Sequence, residues 1–227
     1  MSTLSQSEAP SDIKSAAAGA AASGSDRPTV RLPRPGRVRR NRRSDILQTL
    51  ARLLEDPQCD RITTALIARQ LDLSEAALYR SFPSKGAMFD ALIEFVETSL
   101  LDLFGRIRED RTLQATARVQ VMITVMLDFA DANRGLARVM TGQVLMKEDP
   151  RLTERMTHLL DKLEMGLRQT FRDAVTAREL PADFNADARA NLVMNWVMGR
   201  WMRFVMTGFR ARPNGVSPVA LAPFFVA

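Results

Sequence analysis

From Arg39 to the C-terminus the apolar residues recur three and four positions apart, and no stretch of six alternates apolar with polar between turn signals. That is the period of one face of an α-helix, whereas a half-buried strand repeats every two residues, so the sequence predicts an all-α fold. A first helix is expected over residues 41–55, with Ile46, Leu47, Leu50, Leu53 and Leu54 on one face and Asp56-Pro57 ending it. A second starts at Thr63 or Thr64 as N-cap and offers Ile67, Ala68 and Leu71 to a core. A third, capped by Ser74, runs over 75–82 until Pro83 stops it. Two short helices so close together form a helix-turn-helix candidate.

The residues that most enzyme chemistry needs are missing. Cys59 is the only cysteine and His158 the only histidine, which leaves no zinc ligand set, no internal disulfide and no grouped nucleophile, base and orienter. The sequence therefore predicts no enzyme activity, no metal and no cofactor. His158, beside the apolar stripe of a later helix, is expected to be structural or at the surface. No run of eighteen apolar residues is present to span a membrane. The alanine-rich stretch over 16–22 lacks Leu, Ile and Phe and follows Glu8 and Asp12, so no signal peptide is expected and a cytoplasmic protein is predicted.

Net charge is +6, and its distribution carries the information. Arg27, Arg31, Arg34, Arg37, Arg39, Arg40, Arg42 and Arg43 fall in one acid-free tract, the residues before it carry a net −2, and the chain after it is neutral. Such a tract attracts polyanions, and arginine suits both paired phosphate contact and a narrow DNA minor groove; a solvated linker is the plain alternative. Residues 1–38, rich in Ser, Ala, Gly and Pro, are expected to be disordered.

Thr63-Thr64-Ala65-Leu66-Ile67-Ala68 followed by Leu73-Ser74-Glu75-Ala76-Ala77-Leu78-Tyr79-Arg80-Ser81-Phe82-Pro83-Ser84-Lys85 resembles the signature of the TetR family of DNA-binding proteins. Asp72 stands where the family usually carries a turn glycine, and aspartate tolerates the left-handed backbone that the turn needs. The resemblance implies a small three-helix DNA-binding domain, expected over 40–100 and running into a fourth helix, then a larger helical dimerisation and partner-binding domain over 101–227. Glu75, Ala76 and Ala77 at the start of the third helix present little bulk to the major groove, and alanine suits a thymine methyl. Thr63, Thr64, Tyr79 and Lys85 are placed for phosphates, Arg80 for a base or a phosphate, and Arg40, Arg42 and Arg43 close the basic tract. Ser74, just ahead of Glu75, is also expected at the DNA; a core tyrosine at Tyr79 and a simple helix cap at Ser74 are the plainer readings of those two residues.

The likeness narrows within the family. Arg40-Asn41-Arg42-Arg43, Arg61-Ile62-Thr63-Thr64-Ala65, Met88-Phe89-Asp90 and Leu92-Ile93-Glu94-Phe95 are similar to its nucleoid occlusion members, and Gly135-Leu136-Ala137-Arg138-Val139-Met140-Thr141-Gly142 continues the match. This resemblance implies a nucleoid-associated dimer on palindromic double-stranded DNA. The dimer contacts the division protein FtsZ in a groove between helices four and five, at Phe95, Val125 and Asn133, and antagonises FtsZ polymers over the chromosome. Leu103 and Ala132 stand where arginines are expected. The alternative is a TetR-type repressor released from its operator by a small-molecule ligand.

In the rest of the chain a fourth helix is expected over 85–108 and a nearly all-round apolar fifth over 113–131, punctuated by Asn133 and Gly135. Helices over 136–147, 150–178 and 185–209 follow. The last is apolar on too many sides for one partner. It is expected to give Met194, Met198, Trp201, Met202 and Val205 to a subunit interface of the four-helix-bundle kind, with a methionine-lined ligand pocket as the other reading.

Overall fold

The computed structural model describes residues 42–56, 62–146, 148–215 and 218–226. Arg40 and the disorder expected over 1–38 lie outside these residues. The helices are α1 (Arg42–Leu54), α2 (Thr64–Gln70), α3 (Glu75–Tyr79), α4 (Lys85–Glu109), α5 (Ala115–Ala132), α6 (Arg134–Met140), α7 (Pro150–Thr176) and α8 (Ala186–Met206), followed by a 3-10 helix over Pro218–Phe225. No strand occurs among the described residues; the fold is all-α.

The sequence spacing translates directly into the first cluster. Ile46, Leu50 and Leu54 of α1 meet Ile67 of α2, Leu78 of α3 and Phe82, and none of the six is more than 1% exposed. A five-residue helix such as α3 does not stand alone in water. Burying a Leu, Ile or Phe side chain contributes roughly 1.5–3 kcal/mol, so tertiary packing rather than propensity holds it. The long α4 starts in this cluster with Met88, Phe89, Leu92 and Ile93 and carries on through Leu100 and Phe104 into the second domain. There α5 is central, in contact with α4, α6, α7 and α8, with Val119, Met122, Ile123, Met126 and Ala130 fully buried.

Two ties close the helix ends. The Glu179 carboxylate accepts from the backbone N–H groups of Ala115 (2.9 Å) and Thr116 (2.8 Å), capping α5 from the loop after α7. At the other end Arg138 on α6 donates to the carbonyl oxygens of Asp56 (3.0 Å) and Leu54 (3.4 Å), placing a cation at the C-terminus of α1.

Three expectations need correction. The helix expected over 136–147 starts earlier and ends at Met140, because Gly142 turns the chain with φ 72°. The break after α5 is made by Asn133 alone (φ −129°, ψ 67°), and Gly135 lies inside α6. A Cβ on Gly135 would sit 2.0 Å from the Ala51 carbonyl oxygen, so this glycine is there to let α6 lie against α1. Finally, α3 ends at Tyr79, although the Phe82 N–H still bonds the Leu78 carbonyl at 3.0 Å.

Candidate nucleic-acid interface

Three hydroxyls start the three helices that converge here. Thr63 accepts from the Leu66 N–H (3.1 Å), Ser74 from Ala77 (3.2 Å) and Ser84 from Ala87 (3.0 Å), each from extended backbone. Between α2 and α3 the turn passes through Asp72 at φ 55°, so aspartate fills the left-handed position as the sequence anticipates. The Leu73 N–H then closes onto the Ala68 carbonyl at 2.9 Å, and the two helices are fixed as a helix-turn-helix.

The helical period sorts the residues of α3. Ala77 and Leu78 turn into the core, while Glu75, Ala76, Tyr79 and Arg80 face solvent, Tyr79 being 45% exposed. Ala77 is therefore not on the exposed face of α3, where it is expected from sequence, and Tyr79 is not a core tyrosine. Ser74 is exposed and acts as the helix cap. On the exposed face the side chains form a short chain of hydrogen bonds: the Tyr79 hydroxyl donates to Thr64 Oγ1 at 3.4 Å, and the Thr64 hydroxyl donates to Glu75 Oε2 at 2.7 Å.

The basic residues divide in the same way. Arg42 is exposed on the first turn of α1. Arg43 donates to the Ser81 carbonyl oxygen (2.8 Å) with its guanidinium 4.2 Å from the centre of the Phe82 ring, so it anchors α1 to the end of α3. Lys85 is also engaged: its Nζ donates to the Ile62 carbonyl at 2.9 Å and lies 2.5 Å from Glu148. Arg43, though exposed, and Lys85 each hold a partner within the chain. Sequence reasoning missed Glu148 and Arg138, whose partners lie more than sixty residues away and leave no local signal.

The residues expected to meet a protein partner are mostly interior. Val125 and Asn133 are 7% and 6% exposed, and the Asn133 amide donates to the Phe129 carbonyl at 2.9 Å. Phe95 is half-buried, its ring 6.4 Å from that of Phe129. Arg106, Arg108 and Arg134 are exposed on the same helices or next to them.

On α8 the periodicity misassigned a face. Met194 and Val205 are buried within the single chain, and Trp201 has no exposed surface, its indole N–H donating to the Met126 carbonyl at 3.2 Å. These three belong to the domain's own core; of the five expected at an interface, Met198 is half-buried and Met202 exposed. The outward apolar residues of α7 and α8 are instead Met165, Leu192, Met202 and Met206. His158 is exposed, with Nε2 3.9 Å from Glu154. A small apolar groove of about 210 Å³ lies between the end of α6 and α8, lined by Met140, Thr141, Met198, Gly199, Trp201 and Met202.

Comparison with known proteins matches both halves. Residues 46–92 match the bacterial regulatory proteins of the tetR family, and residues 113–220 match the SlmA-like C-terminal domain described as tetracyclin repressor-like. The nucleoid occlusion factor SlmA of Marinomonas sp. (strain MWYL1) is 38% identical over 78% of this chain and 90% of its own length. SlmA of Sodalis glossinidius is 41% identical over 78% and 89%, and that of Shewanella sp. (strain W3-18-1) 43% over 77% and 88%. Among solved structures, FadR from Bacillus subtilis in complex with stearoyl-CoA aligns with a TM-score of 0.65 at 14% identity, covering 80% of this chain and 96% of that one. The TetR-family regulator PfmR from Thermus thermophilus does so with 0.65 at 18%, covering 79% and 96%. At those identities the likeness shows the fold.

Proposed function

The chain belongs to the TetR family of bacterial regulatory proteins and, within it, to the nucleoid occlusion factors SlmA, and from that premise we propose that it inhibits cell division over the chromosome while bound to DNA. It is a DNA-binding regulator rather than an enzyme, in keeping with its relatives. The observation that carries the finer reading is the likeness to SlmA, which runs through both domains and about nine-tenths of the length of those relatives.

A homodimer sets one α3 in each of two successive major grooves of a palindromic site, about 34–36 Å apart. Ala76, Tyr79 and Arg80 of each copy face the DNA, with Arg42, Thr63 and Thr64 at its edge. The dimer forms through α7 and α8. Supporting this, Ala188, Leu192, Asn195, Gly199, Met202 and Met206 follow one another at four- and three-residue steps along α8, the spacing of a helix–helix seam. Gly199 has nothing within 4 Å of where a Cβ would be, so a second helix has room to approach.

The bound dimer contacts FtsZ along the α4–α5 face, where the half-buried Phe95 supplies the apolar part. Arg106, Arg108 and Arg134 provide the cations that Leu103 and Ala132 do not. The protein then sits on the nucleoid in the cytoplasm and keeps septa off it. The groove beside α8 falls below the roughly 300–1,000 Å³ of small-ligand sites.

A genome-wide map of binding in living cells, joined to sedimentation of FtsZ polymers with and without operator DNA, tests the proposal. Many dispersed palindromes, sparse near the replication terminus, and DNA-dependent loss of pelleted FtsZ are expected. One or two sites beside a transporter gene with no effect on FtsZ would overturn it.

A further inference from the structure

We propose that Glu75 reads a base: its carboxylate accepts a hydrogen bond from the N4 amino group of a cytosine in the major groove. The inference rests on the reading of α3 as the helix that enters that groove.

Glu75 is the acidic residue on the exposed face of α3, beside Ala76, Tyr79 and Arg80. A carboxylate turned toward DNA is repelled by phosphates, so it weakens binding to duplex of any sequence. It favours a site only where it meets a donor. Its position is already restricted before DNA arrives, because the Thr64 hydroxyl donates to Oε2 at 2.7 Å and the Tyr79 hydroxyl donates in turn to Thr64. An ionised carboxylate offers about four acceptor positions, and Oε1 makes no hydrogen bond among the described residues. Ala76 alongside adds a single methyl and leaves the approach open.

The chemistry selects the base. A carboxylate is an acceptor only, so guanine, with N7 and O6, and thymine, with O4, repel it. Adenine places its N6 amino group next to the N7 acceptor. Cytosine presents its N4 amino group without an adjacent acceptor of its own, which makes it the base a fixed carboxylate suits best. Thr64 thereby acts as a positioning residue, holding one oxygen of Glu75 so that the other faces the base.

Selection of bound sequences from a randomised duplex library, with the full chain, tests the role. The wild type is expected to enrich a motif with cytosine at one position in each half-site. Glu75→Ala should lower that preference about tenfold while leaving the other positions unchanged. Glu75→Gln, close in shape and equally exposed, should shift the same position toward adenine, since an amide pairs with N6 and N7 together. Thr64→Val should weaken the preference at that position alone. If both Glu75 variants select the wild-type motif at every position, even with higher overall affinity, Glu75 only offsets phosphate attraction and the proposal fails. A wild-type protein that enriches no motif would overturn the sequence-reading role of α3, and that of Glu75 with it.

Discussion

Lys85 Nζ lies 2.5 Å from a Glu148 carboxylate oxygen while donating to the Ile62 carbonyl, so one ammonium joins the start of α4, the entry to α2 and the turn ahead of α7. Both side chains of the pair keep about a fifth to a quarter of their exposure, 24% and 20%, so solvent still screens it. A contribution of about 0.5–1 kcal/mol is expected. Glu148→Gln should therefore lower the melting midpoint by roughly 1–4 °C. It should also raise affinity for duplex of any sequence a few-fold at low salt, because Lys85 is released toward phosphate. Thermal melts and fluorescence anisotropy on a scrambled duplex check both; an unchanged variant means the pair restrains nothing.

Gly135 is where α6 touches α1. A Cβ there meets the Ala51 carbonyl oxygen at 2.0 Å and Leu54 Cβ at 3.1 Å, and backbone does not move aside as a side chain does. Gly135→Ala should cost about 2–3 kcal/mol or more through overpacking. At Gly166 the added methyl meets the Phe104 ring at 2.8 Å, a side chain rather than backbone, so Gly166→Ala is expected to cost less. Urea unfolding of the two variants ranks them, and the reverse order would contradict the reading.

These two glycines show what the sequence does and does not display. Helix number, order and approximate ends follow from three- and four-residue spacing and from caps such as Thr63, Ser74 and Asp149, which are local signals. The motif over Thr63–Lys85 is legible because its caps at Thr63, Ser74 and Ser84 each hold an N–H three residues on. Contacts across the chain are not: Lys85 with Glu148, Arg138 with Asp56 and Arg43 with Ser81 join residues whose types alone permit many partners. On α8 the limit is different. An apolar helix side reads the same whether it faces its own core or a second chain, and the burial of Met194, Trp201 and Val205 with the indole bond of Trp201 to Met126 assigns it to the core.

Acid should loosen the far end of the molecule first. Burial alone would raise the Glu179 carboxyl, but the N–H groups of Thr116 and Ala115, the Thr116 hydroxyl and the charge of Arg118 outweigh it and hold it below the usual carboxylate value. The Glu97 carboxyl is likewise lowered, chiefly by its hydrogen bond from Lys162. For a carboxylate lowered on folding, the added stability is present above the unfolded value of about 4.3–4.5 and is lost as pH falls toward the folded value. Glu179→Gln should remove about 1 kcal/mol at neutral pH, as a lost cap does, and flatten the decline below about pH 4.5. Melting curves from pH 3 to 7 give the answer; parallel curves for the two proteins would assign the acid sensitivity elsewhere.

The proposed seam along α8 allows folding to be tested apart from assembly. Leu192 is 52% exposed and Met202 39%, so charging them removes little from the monomer core. Leu192→Asp with Met202→Glu should leave the helical spectrum and melt of the monomer intact yet weaken a dimer at least 100-fold, since the charges would face their own copies across a two-fold axis. Light scattering after size exclusion reads the mass directly. A pair variant that still elutes as a dimer places the interface on another face.

The arginine tract predicts a salt signature. Deleting residues 1–38 removes Arg27, Arg31, Arg34 and Arg37, whereas deleting 1–26 removes none of them and takes away a net −2. Each phosphate neutralised by the protein releases counterions, and losing one contact reduces the slope of log affinity against log salt by about 0.9 on B-form DNA. The shorter deletion should leave the slope unchanged. The longer one should lower it by several units per dimer and weaken operator and scrambled DNA together, because phosphate contacts carry no sequence information. Arg42, exposed at the first turn of α1, and Arg43, held against Ser81 and Phe82, mark where the tract meets α1 and the end of α3. Titrations at four salt concentrations separate the cases: equal slopes for both deletions would mean that Arg27, Arg31, Arg34 and Arg37 never reach the backbone of the duplex.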